Sequence, residues 1–63
     1  MAVLVTLGWL VRVRDQDRKV LWEKAFMLSK RLDAEVMAMH YARDMLRKYP
    51  EEAVYVIAIK GHP

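Results

Sequence analysis

The stretch VLVTLGWLVRVRDQDRKVLWEKAFM, residues 3–27, decides the fold. Its first half alternates two sets of side chains. Val3, Val5, Leu7, Trp9, Val11 and Val13 form one set; Leu4, Thr6, Gly8, Leu10, Arg12 and Arg14 form the other. A period of two is the mark of a β-strand, whose successive side chains point to opposite faces. Asp15-Gln16-Asp17-Arg18 then breaks the pattern with a polar cluster and reads as a hairpin turn. It has no Gly, which favours a longer or type I-based loop over a tight type I′ turn. Beyond it, Val20, Trp22, Phe26 and Leu28 alternate with Leu21, Glu23, Ala25 and Met27.

Pairing Arg14 with Lys19 predicts the register. It puts Val13 opposite Val20, Val11 opposite Trp22 and Leu7 opposite Phe26, with both apolar sets on one face. Lys24 then intrudes opposite Trp9, where its stem can reach the edge or its ammonium can lie over the indole.

Working outward, a helix is predicted over residues 34–49. Asp33 is a good N-cap, and Glu35 places an anion in the first turn. Leu32 and Met37 have the spacing of a hydrophobic staple. Ala34, Ala38, Tyr41, Ala42, Met45 and Tyr49 fall on one helical stripe, whose alanines permit a close approach to a sheet. Pro50 ends the helix. Val54 to Ile59 is a third β-run, followed by Gly61-His62-Pro63.

The chain therefore predicts one domain over residues 1–63. The fold class is α+β, a ββαβ unit with a three-stranded antiparallel sheet in the order 2-1-3. One helix packs on one face. Strand 1, the most apolar, is central, and strands 2 and 3 are edges.

Hydrophobic residues make up 56% of the 63, more than a chain this short can cover. A domain of about 60 residues buries only about 60% of the surface its unfolded chain exposes. No cysteine is present to staple a small core, and such chains commonly lean on oligomerisation. Strand 3 is an unusual edge. Val54, Val56 and Ala58 take one face and Tyr55, Ile57 and Ile59 the other, with no charge before Lys60. Edges are normally blunted by charge or Pro. Tyr55, Ile57, Ile59, Leu4 and Leu10 are therefore candidates for a dimer or partner interface, with Tyr55 as its anchor. The two copies would meet through strand 3 or the uncovered sheet face. Val36 and Met39, outside the alanine stripe, are candidates for contact with a target protein.

Catalytic chemistry has no visible apparatus. His40 lies on the polar side of the helix, His62 is in the tail, and Ser29 is the sole serine. Two histidines without cysteines make a poor metal set, and two glycines cannot form a phosphate loop. No cofactor is implied. The first strand is too short to span a bilayer and lacks the basic start and cleavage site of a signal peptide. With no cysteines, a cytoplasmic location is expected.

The net charge of +3 is modestly basic. Arg12, Arg14, Arg18 and Lys19 cluster at the hairpin, and Arg43, Arg47 and Lys48 along the helix. They support an alternative role, a small nucleic-acid-binding accessory module that grips phosphates. Asp15, Asp17 and Asp44 interleave with them and oppose it. In size and composition the whole chain is similar to the small regulators and inhibitors encoded by bacteriophages and mobile elements, such as anti-CRISPR proteins. That resemblance implies a non-enzymatic regulator that binds a protein target, here as a homodimer.

Overall fold

A computed structural model describes residues 3–62. Its elements are β1 (Val5–Arg14), β2 (Val20–Met27), α1 (Ala34–Lys48) and β3 (Ala53–Gly61). The sheet order is β2-β1-β3 with both pairings antiparallel, as the alternation predicts. Met1, Ala2 and Pro63 lie outside the described residues.

The hairpin is closed by its own acid. The Asp15 N–H donates to the Lys19 carbonyl at 2.9 Å, and the Arg18 N–H to the Asp15 carbonyl at 3.1 Å. Asp15 Oδ1 also accepts from the Asp17 and Lys19 amides at 2.8 and 2.9 Å. The loop is thus Gln16-Asp17-Arg18, a turn followed by a left-handed residue, with Arg18 at φ 64°. L-residues other than Asn and Asp resist that conformation, and Gly adopts it freely. Arg18→Gly is expected to stabilise the chain by roughly 0.5–1 kcal/mol, after the larger entropy of an unfolded Gly is counted. A urea midpoint that stays still or falls would sink this expectation.

The register differs from the expected one by two residues. Trp9 pairs with Phe26, Val11 with Lys24 and Val13 with Trp22. Arg14 pairs with Val20, so Leu21 is the extra residue of a bulge. From Gly8 to Val13 the two-residue shift keeps the parity and the sets stay on their faces, but the bulge turns Val20 to the other face, opposite Arg14. Lys24 accordingly lies opposite Val11 rather than Trp9. Its Nζ sits 5.5 Å from the Phe26 ring centre and 5.3 Å from that of Tyr41, so its aromatic partners are these two rings and not an indole.

The helix begins as its cap predicts, the Val36 N–H donating to Asp33 Oδ1 at 3.2 Å. It ends at Lys48, with the Tyr49 N–H bonded to the Met45 carbonyl at 2.8 Å before Pro50. Leu32 and Met37, the expected staple, are both exposed. The buried core among the described residues is Val11, Val13, Ala34, Ala38 and Ala42. Trp9, Phe26, Tyr41 and Val54 pack around it, with the Phe26 and Tyr41 rings 5.6 Å apart. Alanines bring the helix down onto β1 but give it little reach sideways. Trp22, on the edge strand, is therefore 54% exposed instead of joining the core.

Two layers and a narrow core make a thin molecule, 40 × 27 × 11 Å in its Cα extents. Its radius of gyration is 13.0 Å, against about 10.6 Å for a compact domain of this length.

Candidate functional site, an open sheet face with an arginine pocket

The helix covers one face of the sheet and leaves the other bare. The bare face can be read in rows across β2, β1 and β3. They run Met27–Gly8–Ile59, then Ala25–Leu10–Ile57, then Glu23–Arg12–Tyr55, and finally Val20–Arg14–Ala53 beside the turn. The face is apolar at one end and charged at the other.

The pairing brings together residues far apart in the chain. Arg12 and Arg14 belong to the hairpin cluster, and Tyr55 and Ile57 to strand 3. In the fold the four line one pocket of about 190 Å³. Sites for drug-sized ligands run to about 300–1,000 Å³, so this one has the size of a side chain. Arg12 Nε donates to Glu23 Oε1 at 2.7 Å, the one ion pair among the described residues. The Arg14 guanidinium lies 5.8 Å from the Tyr55 ring centre, a cation–π contact. Arg14 Nε is shielded from solvent and has no hydrogen-bond partner among the described residues. A buried donor left without an acceptor costs about 1–3 kcal/mol.

Tyr55 and Ile57 are exposed, and Leu10 and Ile59 are partly buried beside them on this face. Leu4 is exposed but precedes β1, and the register irregularity between Thr6 and Gly8 separates it from the Leu10 row. Val36 and Met39 are exposed on α1, on the side away from the sheet. Leu46 is exposed as well. Its spacing of seven from Met39 was the available signal, overlooked because the alanine stripe dominates the helix. Arg43 and Arg47 share that outer side and are exposed, as are Lys48, next to Tyr49, and Arg18 at the hairpin tip. The basic residues thus lie on separate parts of the surface and do not merge into one groove. His40 is exposed. Among the described residues no group of three His, Cys, Asp or Glu side chains could hold a metal ion, and no helix is long and apolar enough to cross a membrane.

The chain exposes 5165 Å². A folded monomer of 7.4 kDa exposes about 4,200 Å² by the usual scaling. The surplus is roughly 1,000 Å², and one side of a standard protein interface is about 800 Å². Compared with known protein families, characterised proteins and solved structures, the chain matches none.

Proposed function

We propose that this chain is a small non-enzymatic regulator or inhibitor that works as a homodimer and binds a protein target. The surplus of exposed surface carries the reading, because it is of the same order as what one partner covers in a stable interface. Exposed apolar residues on two surfaces support the assignment of roles. The open sheet face, with Leu10, Tyr55, Ile57 and Ile59, serves self-association. The outer side of α1, with Val36, Met39 and Leu46, serves the target. The pocket supports a binding role over a catalytic one. Its walls are two guanidinium groups, which only donate hydrogen bonds, an aliphatic chain and a phenol.

Ile57→Lys tests it. Ile57 is 39% exposed in the single chain, so a lysine there can reach solvent without breaking the fold. Across an apolar interface the same ammonium would be buried without a partner, a large penalty. Sedimentation velocity is expected to show a dimer for the parent chain and a monomer for the variant, with matching circular dichroism. A variant that folds and keeps the parent mass would remove the open face from the interface.

A further inference from the structure

Arg12 and Arg14 bring two guanidinium groups to one pocket, and the chain pairs a carboxylate with only one of them. Glu23 Oε1 accepts from Arg12 Nε at 2.7 Å. The acids beside the Arg14–Ala53 row in sequence do not take the other. Asp15 Oδ1 accepts from the turn amides of Asp17 and Lys19, and Glu52 Oε2 is shielded from solvent without a hydrogen bond. Arg14 lies instead 5.8 Å from the Tyr55 ring centre. That contact engages its charge and none of its N–H donors. Its Nε is closed off within the chain, but its Nη groups are not, and no hydrogen bond ties them to another described residue.

Donors, charge, size and walls converge on one ligand chemistry, a carboxylate on a short apolar stem. A guanidinium offers a carboxylate parallel N–H bonds in a fixed fork. Two arginines less Glu23 leave one positive charge, and a carboxylate carries one negative charge. A phosphate monoester would bring about −1.5 to −2 and overshoot. The volume of about 190 Å³ suits a single side chain, and Ile57 gives its stem an aliphatic wall. We infer that the pocket takes the carboxylate of an Asp or Glu side chain of the protein target, held by the Nη donors of Arg14 with its stem against Ile57 and Tyr55. The inference rests on the protein-target part of the reading above and gives the target a second contact, on the face away from α1. Tyr55 and Ile57 also belong to the surface assigned to self-association. The target's acid and a second copy therefore compete for them, and binding of one displaces the other.

The test compares acetyl-Gly-Glu-Gly-amide with acetyl-Gly-Gln-Gly-amide at constant ionic strength, read on the arginine Nε–H and Tyr55 ring signals by NMR. The Glu peptide is expected to bind about tenfold tighter or more. Arg14→Gln is expected to abolish that preference. Glu23→Gln removes the chain's own competing carboxylate and is expected to strengthen binding of the Glu peptide by roughly severalfold. A residue that served only the fold would not move affinity in these opposite directions. Should a variant fail to fold, the peptides on the parent chain still decide. Inorganic phosphate is the third arm, and phosphate binding tighter than the Glu peptide overturns the carboxylate assignment. If the parent is a dimer, the Glu peptide and not the Gln peptide should lower its mass in sedimentation. No difference between the peptides in either readout overturns the inference and leaves the homodimer standing. A monomeric parent that prefers the Glu peptide overturns the homodimer and keeps the pocket.

Discussion

Gly8→Ala is expected to lower stability by about 3 kcal/mol, the upper end of what overpacking costs. A Cβ on Gly8 would sit 2.4 Å from the Phe26 carbonyl oxygen and 2.9 Å from the Met27 Cα. Both are backbone atoms of the neighbouring strand, so no rotamer change relieves the clash. Gly8 is also paired on both sides, with Met27 and Ile59, in the central strand. Moving β1 away from β2 would push it into β3. Just before it the Leu28 N–H donates to the Leu7 carbonyl at 2.9 Å, so the end of the hairpin is tied there as well. A chain of this size has roughly 3–9 kcal/mol in total. The alanine variant should therefore lose from about a third to all of that stability, and Gly8→Val more. Thermal melting reads this directly, since each kcal/mol shifts a domain this small by about 4–8 °C. Gly61→Ala is the control. A Cβ there meets Leu7 Cδ1 at 2.5 Å, the far end of a flexible side chain that can turn aside. Equal melting shifts for the two variants would mean that the close approach of β1 and β2 at Gly8 is not rigid.

The order of elements, the 2-1-3 sheet and the helix ends were legible in the sequence because each has a local cause. Asp33 caps, Pro50 stops, and the alternation on either side of Asp15 makes two strands. The register was legible only in its parity. Apolar alternation repeats every two residues, so it cannot separate Val11 opposite Trp22 from Val13 opposite Trp22. The loop decides that, through the hydrogen bonds of Asp15 and the bulge at Leu21. The position of Lys24 followed from the register and was misplaced with it. The interface candidates and the basic candidates appeared as separate lists. Arg12 and Tyr55 are side by side only because β1 and β3 pair, a contact between distant parts of the chain. The lone Arg14 Nε depends on the placement of individual atoms, which no pattern of residue types contains. The exposure of Trp22 was not legible, because hydrophobicity says which residues favour cover and not how far a helix of alanines can spread it.

That narrow cover makes Ala38 the second sensitive position, and Ala38→Leu is expected to cost about 3 kcal/mol. Ala38 is fully buried and shares a cluster with Val11, also fully buried, and with Ala42. Spaced by four, the alanines form one line along α1 and bring its backbone onto β1. Three added carbons have nowhere to go in so filled a site. The helix must lift, and lifting it uncovers Val11 and Val13 together, the two large side chains of the core that are wholly buried. The effect is therefore cooperative where an exposed position such as Met39 would show almost none. Val11→Ala alone should cost about 2 kcal/mol by losing buried methyl groups. In the double variant the leucine can occupy the room that the valine leaves. The two costs should then fall short of additivity by about 1 kcal/mol or more, as expected for residues in direct contact. Urea titrations of the four proteins measure that coupling. Strict additivity would place the weight of the helix on the Phe26–Tyr41 contact at its flank and not on the alanine line. A coupling of the expected size would make Ala38 and Val11 the seam that holds the covered face.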